Sequence, residues 1–256
     1  MRDAGLERAI DAAGGVAQLA RKIGLAQPSV SIWNRVPAER VIVVEAATAV
    51  SRKVLRPDLY GESASADHAV DAARAQEYAL LAALLLSAPS PGLLERIAQL
   101  RDDATPLGRA HANLAEAASQ AVAADVEREY FELFVGLGRG ELLPYASYYL
   151  TGFLNERPLS RLRDDLTALG IERVENNCEP EDHAAALCEI MAGLASGRFP
   201  ASPEVQRTFF EKHVSRWMGR LFADMETVKG SKFYRSVGSL GRLFLEIESE
   251  AFTFAN

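Results

Sequence analysis

Apolar residues recur at helical spacing along most of the chain, and small or turn-forming residues separate the periodic stretches. In residues 1–61 this pattern predicts four short helices. The helices are expected to break where glycine frees the backbone or proline starts a new helix, at Gly14-Gly15, Gly24 and Pro37. The next residues, 62–67, are small and polar, which is typical of a linker.

From about Val70 the helical pattern continues to the end of the chain. Proline fits the first turn of a helix, so Pro158 and Pro180 are expected to open helices. Two more starts are predicted where serine, a good cap, precedes proline, at Ser90-Pro91 and Ser202-Pro203. Alternating β-branched runs and Asn-Gly hairpin signals are absent from the sequence. We therefore predict an all-α protein with a small domain at 1–61, a linker at 62–69 and a larger domain at 70–256.

The segment VAQLARKIGLAQPSVSIWNR, residues 16–35, has the spacing of a helix-turn-helix. Ala20 is small where two helices must approach closely, and Gly24 follows where the turn is tight. Val30 is placed to pack the second helix, expected over residues 27–35, onto the first. This combination predicts a DNA-binding element.

In a helix-turn-helix the second helix enters the major groove and its side chains meet base edges. Glutamine and asparagine can bond adenine, and arginine can bond guanine or phosphate. The side chains expected to read bases are Gln27, Ser29, Ser31, Asn34 and Arg35. Phosphate contacts are expected from Arg21, Lys22 and Arg40.

The run AIDAAGGVAQLARKIGLAQPSVSIWNRVPAERVIVVEAATA, followed by LRPDLYG, resembles the YdaS/Cro-like family of small DNA-binding proteins. The resemblance covers residues 1–61 and implies repression of a phage gene or an operon, often by a dimer. The alternative is a helical docking module that has lost DNA binding. Two observations favour that alternative: the net charge of residues 1–61 is only +3, and Pro28 stands in the reading helix.

The larger predicted domain holds three clusters of aromatic and charged residues: LFVGLGRGELLPYASYYLTGFLNERPL, EPEDH at 179–183, and FFEKHVSRWMGRLF. The glycines of the first cluster are not followed by the Lys-Ser/Thr of a phosphate-binding loop. The carboxylates and histidine of EPEDH lack a further ligand at metal-binding spacing. We interpret EPEDH as a helix start with acidic residues at its positive end, which can also receive a cationic peptide group.

These three clusters resemble the TorD/DmsD family, in order and over about Val70 to the C-terminus. The resemblance implies an all-helical chaperone that binds the twin-arginine signal peptide of one molybdoenzyme and assists insertion of its molybdenum cofactor before export. The family's E-P-x-D-H motif corresponds to Glu179, Pro180, Asp182 and His183. Aromatic residues that either line the peptide groove or belong to the core are Tyr145, Tyr148, Tyr149 and Trp217.

Charge differs between the two predicted domains. Residues 1–61 hold nine Lys/Arg and six Asp/Glu, whereas the remainder holds 19 and 29, a net charge of −10. An acidic domain attracts a basic ligand, and a weakly basic one attracts phosphate. Cys178 and Cys188 match no zinc spacing and are interpreted as thiols.

We therefore predict a cytoplasmic, non-enzymatic chaperone with a DNA-binding head and with no metal or cofactor of its own. The expected partners are a molybdoenzyme catalytic subunit with its signal peptide and, for the head, operator DNA; no membrane contact is expected. The alternative is a transcriptional regulator whose helical domain senses a ligand or peptide. A monomer and a homodimer both remain open, domain swapping included. Replacing Asp182 and His183 with Ala is expected to weaken peptide binding and leave the helical fold largely intact.

Overall fold

The computed structural model describes residues 2–172 and 179–254. Within these ranges the chain is helical and forms no strand, apart from one isolated antiparallel bridge between Tyr145 and His183. The all-α prediction is confirmed. The chain divides into two compact units, Met1–Asp71 and Ala72–Asn256. Cys178 lies outside the described residues.

The N-terminal unit is built from short helices around a small apolar core. Its core residues include Leu6, Leu19, Val30, Val44 and Leu55. The helices are α1 (Ala4–Ala13), α2 (Val16–Lys22), α3 (Gln27–Ser31), α4 (Val41–Thr48), α5 (Arg52–Leu55) and α6 (Pro57–Tyr60), with a 3₁₀ turn at Ala38–Arg40.

The turn between α2 and α3 has the expected helix-turn-helix form. Gly24 takes a φ of 72°, which an L side chain adopts rarely, so the predicted break there is confirmed. The second helix is shorter than predicted, because it ends at Ser31 rather than Arg35. Beyond it the Asn34 carbonyl accepts a hydrogen bond from the Asp3 backbone N–H at 2.8 Å, and Pro37 disfavours helical backbone at Val36.

The residues predicted as a linker, 62–69, are helical. They form the start of α7 (Glu62–Leu86), a helix of 25 residues that contains the division between the units. No glycine or proline interrupts residues 62–86, and alanine and leucine, both strong helix formers, are frequent there. The small polar residues therefore did not indicate that this segment is helical.

The C-terminal unit packs its helices around one large core. Its fully buried residues include Tyr78, Leu187, Trp217, Phe222 and Tyr234. After α7 come α8 (Pro91–Ile97), α9 (Pro106–Ser119), α10 (Ala123–Tyr130), α11 (Ala146–Thr151), α12 (Arg157–Ala168), α13 (Ala184–Ala195), α14 (Pro203–Phe209), α15 (Met218–Thr227) and α16 (Phe233–Phe254), with π-helical turns at Phe131–Val135 and Phe210–Val214. None of the helices described is long and apolar enough to cross a membrane.

Helix starts in this unit follow the predicted chemistry in part. The hydroxyls of Ser90 and Ser202 accept backbone N–H bonds at the starts of α8 and α14, as expected. Pro180 does not open a helix, because α13 begins at Ala184. The start of α16 is capped from far away: the Glu129 carboxylate accepts backbone N–H bonds from residues 232–234.

Candidate functional site

The EPEDH turn lies against the start of α11. The Ala146 N–H donates to the Asp182 carbonyl at 3.0 Å, and the Ala184 N–H donates to the Pro144 carbonyl at 2.8 Å. These bonds flank the bridge between Tyr145 and His183. Two motifs that are more than 30 residues apart in the sequence are thus joined into one site.

Asp182 is a buried helix cap within this site. Its side chain is 1% exposed, and Oδ2 accepts the Ser147 N–H at 2.7 Å in the first turn of α11. A carboxylate is stabilising there, because it meets free N–H groups and the positive end of the helix dipole. The carboxylate thus caps α11. The sequence had indicated that it would lie at the start of the helix that follows the motif. In the described part of the chain, Oδ1 and the Ser147 hydroxyl are buried without hydrogen-bond partners.

His183 caps the following helix. Its Nδ1 accepts the Ala185 N–H at 3.1 Å, which places the proton of the neutral ring on Nε2. Burial lowers the pKa of His183, against the opposing effect of the Glu179 and Asp182 carboxylates. The ring packs edge-on against Tyr145, with centroids 5.0 Å apart. His183 is therefore neutral near pH 7 and holds the turn in place.

Glu179 is the exposed carboxylate of the motif, and Pro180 next to it is half-buried. The Tyr145 hydroxyl donates to Glu179 Oε2 at 2.6 Å. Burial, followed by this bond, raises the pKa of Tyr145, so its hydroxyl stays protonated. Glu181 pairs with Arg163 at 2.8 Å. The site thus presents one oriented carboxylate at the surface.

The other predicted aromatic residues divide between surface and core. Tyr148 and Tyr149 line a neighbouring cavity of about 380 Å³. The Tyr148 hydroxyl accepts a bond from Arg139, and the Tyr149 hydroxyl donates to Asp224. Trp217 is 1% exposed, and its indole N–H is bonded to the His213 carbonyl at 2.8 Å. Of the two alternatives given for Trp217, groove and core, the structure places it in the core, so it is withdrawn as a peptide-binding residue.

The helix-turn-helix presents most of the predicted DNA-binding residues to solvent. The exposed ones are Gln27, Ser29, Ser31, Asn34, Arg35, Arg21 and Lys22, whereas Arg40 is half-buried. Arg35 forms an ion pair with Asp58 at 3.4 Å. Arg2, which the sequence pattern did not indicate, donates from Nη2 to the Ser31 carbonyl at 3.2 Å and thus lies beside the reading helix.

Two known families match the chain, one in each unit. The family described as nitrate reductase delta subunit matches residues 100–223, and the family described as bacterial toxin YdaS matches residues 6–64. Curated proteins named chaperone protein TorD match part of the chain: that of Vibrio cholerae is 31% identical over 103 residues, and that of Aliivibrio fischeri is 27% identical over 134 residues. The C-terminal unit is TorD-like. The N-terminal unit is YdaS-like, and both resemblances expected from the sequence are confirmed.

The matched segments are partial. They cover 37% of this chain and 47% of the Vibrio cholerae protein, and 48% and 62% for the Aliivibrio fischeri protein, so the chain spans about half the length of these relatives. Among solved structures, that of a proposed redox enzyme maturation protein from Archaeoglobus fulgidus is similar, with a TM-score of 0.41 and 20% identity over 66% of this chain and 93% of that one.

The TorD-like unit also holds a cavity that sequence reasoning missed. It has a volume of about 310 Å³, and Asp182 lines it together with Asp165 and His213. His213 Nε2 lies 2.7 Å from Asp165 Oδ2, and Lys212 pairs with the same carboxylate. In the sequence, the FFEKH run was the feature that could have indicated one side of this cavity, since Lys212 and His213 line it. Asp165 on α12 carried no signal, because its contact with His213 spans 48 residues.

Metal chemistry finds no support in the described ranges, 2–172 and 179–254, where no group of three His, Cys, Asp or Glu residues is arranged to hold an ion. Cys188 is fully buried, and burial raises the pKa of its thiol far above the usual value. A thiol in this state is a poor nucleophile and a poor metal ligand.

Proposed function

We propose that the chain is a maturation chaperone for a redox enzyme. In this proposal the TorD-like unit binds the twin-arginine signal peptide of a molybdoenzyme in the cytoplasm and retains the client while its cofactor is inserted. The names of the curated relatives support the chaperone class. The observation that carries the peptide site is the exposed Glu179 carboxylate, oriented by Tyr145 on a turn that is anchored to α11.

The chemistry of the site suits a guanidinium. An arginine side chain forms paired hydrogen bonds with a carboxylate, and such charge-assisted bonds are about twice as strong as neutral ones. Residues 62–256 carry a net charge of −10, which favours approach of a basic segment. The proposed role is binding alone: the client carries the molybdenum cofactor, and no catalytic group is assigned to this chain.

The test is a calorimetric titration of the full chain with a peptide that contains an Arg-Arg pair. Glu179→Gln removes the charge at the surface and is expected to weaken binding about tenfold, as for one lost charge-assisted bond. Glu189→Gln is the matched control, because Glu189 is an exposed carboxylate on α13 outside the turn. Equal binding by Glu179→Gln and the wild type would disprove the assigned site, and absence of binding by the wild type would disprove the function.

We propose as a second function that the YdaS-like unit binds operator DNA. The match at residues 6–64 and the exposed polar side chains of α3 favour this function over a docking module. Phosphate contacts give a steep dependence of affinity on salt, whereas a docking module predicts weak, salt-insensitive retention on DNA.

Operator affinity measured with and without the Arg-Arg peptide tests coupling between the units, and identical affinities would exclude coupling. A pure regulator would bind operator tightly and ignore the peptide.

A further inference from the structure

The outermost face of α3 is apolar. Val30 is the buried residue of this helix. At about 100° per residue, side chains two positions away project about 160° from it, and these positions hold Pro28 and Ile32. Ile32 is 79% exposed and keeps helical backbone angles of −84° and −7°. The two side chains of α3 and its C-cap that point furthest from the core are therefore a proline and an isoleucine.

Polar and cationic groups lie on α3 itself, at the end of α2 and at the N-terminus of the chain. Gln27 is exposed, and its amide makes no hydrogen bond within the described chain, whereas the Ser31 hydroxyl is already bonded to the Gln27 carbonyl at 2.9 Å. Arg2 approaches the Ser31 carbonyl on the C-terminal side of α3. Arg21 and Lys22 are exposed at the end of α2.

We propose that Ile32 is a base-reading residue that packs against the C5-methyl group of thymine in the major groove. Thymine alone among the four bases presents a methyl group there, and an apolar side chain is its natural contact. Gln27, with a free amide, suits the adenine N6/N7 edge of the same or a neighbouring pair. The unit would thus favour A·T steps. This inference rests on the DNA binding proposed above for the YdaS-like unit.

Charge favours DNA over a second copy of the chain as the occupant of this face. Of the six acidic residues in 1–61, Glu45 and Asp58 are engaged by Arg52 and Arg56. A two-fold contact centred on Ile32 would bring the cations of both copies, Arg2, Arg21 and Lys22, towards each other, which is unfavourable. A phosphate backbone on either side of the groove would instead neutralise them.

The experiment uses the full chain and a pool of random duplexes prepared in two forms, one with thymidine and one with deoxyuridine, which lacks the methyl group. Sequences are selected from the thymidine pool, and the affinity of the best duplex is compared with that of its deoxyuridine analogue at one fixed salt concentration. The wild type is expected to bind the thymidine form about fourfold tighter, the factor for about 0.8 kcal/mol per buried methyl-sized group.

Ile32→Ala should bind both forms equally. Ile42→Ala is the matched control, because Ile42 is 60% exposed on α4, away from the reading helix, and it should keep the fourfold preference. Equal binding of the two forms by the wild type would overturn the role of Ile32 and leave DNA binding intact. Failure to bind any duplex would instead remove the proposed DNA function. A change in self-association with Ile32→Ala, without a change in the preference, would assign the face to a protein contact.

Discussion

The two candidate surfaces of this molecule differ in what their residues already do in the folded chain. At the TorD-like site Asp182 and His183 are buried helix caps: Asp182 Oδ2 and His183 Nδ1 each accept a backbone N–H bond. On the YdaS-like surface Gln27 and Ser29 are exposed and hold no other element in place. Substitutions at the first surface therefore mix stability with binding, whereas substitutions at the second can separate them.

The largest effect is expected from Trp217→Ala. This residue lies in the core of the TorD-like unit and packs against Tyr149, with the rings tilted and their centroids 5.4 Å apart. Truncation of a buried tryptophan costs about 3–5 kcal/mol in the free energy of unfolding, which chemical denaturation would measure. Gln27→Ala on the reading helix should change it by less than about 0.5 kcal/mol. If the Trp217→Ala variant keeps its stability and loses only peptide affinity, the core role is wrong and Trp217 belongs to the peptide groove.

The next largest effect is expected from Asp182→Ala. It should lower the free energy of unfolding by about 2–3 kcal/mol, because it leaves the Ser147 N–H buried and unbonded. Asp182→Asn keeps an acceptor oxygen and should cost less. The helical fold is still expected to form with alanine at this position, at this lower stability. Glu179→Gln is the surface control and should stay within about 0.5 kcal/mol. Unaltered stability of Asp182→Ala in the same denaturation assay would contradict the capping role.

Local signals in the sequence predicted much of the fold. Glycine at a turn and serine before proline act within a few residues, and Gly24, Ser90 and Ser202 behave as expected. Errors arose where a distant partner decides the outcome. Pro180 suits a helix start, but the bridge between Tyr145 and His183 delays the helix to Ala184.

The candidate site was predictable only as a set of residues. The resemblance to a known family pointed to Asp182 and His183, but no spacing in the sequence indicates that Asp182 caps a helix 35 residues earlier. The role of Glu129 at α16, about 100 residues away, was equally hidden. Arg2 was missed for the same reason, since its contact with Ser31 spans 29 residues. Long-range hydrogen bonds are what the sequence pattern could not supply.

A pH-dependent effect should distinguish the two units. Burial lowers the pKa of His183 and His213 below 6.5 in the folded chain. As the pH falls, these histidines are therefore protonated in the unfolded chain before they are protonated in the folded one. Their contribution to stability is constant above about pH 6.5 and decreases below it. His111, whose pKa is raised chiefly by its hydrogen bond with Glu77, contributes in the opposite direction, with stability lost as the pH rises.

The variant that isolates this effect is His183→Asn. Its side-chain oxygen can still accept the Ala185 N–H, but it does not titrate. Between about pH 7 and about pH 5.5 its free energy of unfolding should decrease less than that of the wild type. Residues 1–61 contain no histidine, so the fourfold thymidine preference should be the same at both pH values. An identical pH dependence of stability in the variant and the wild type would refute the assignment.

The smallest effect on stability is expected from Arg35→Ala. The ion pair with Asp58 is 3.4 Å long with side chains 61% and 46% exposed, and Asp58 retains Arg56 as a partner. Loss of such a pair changes the free energy of unfolding by less than about 0.5 kcal/mol. If Arg35 contacts phosphate, Arg35→Ala should make the negative slope of log affinity against log salt shallower by about one for the selected duplex. Arg8→Ala is the matched control, since Arg8 is exposed on α1 outside the reading residues, and an equal decrease there would mean that binding follows total charge and not a defined surface.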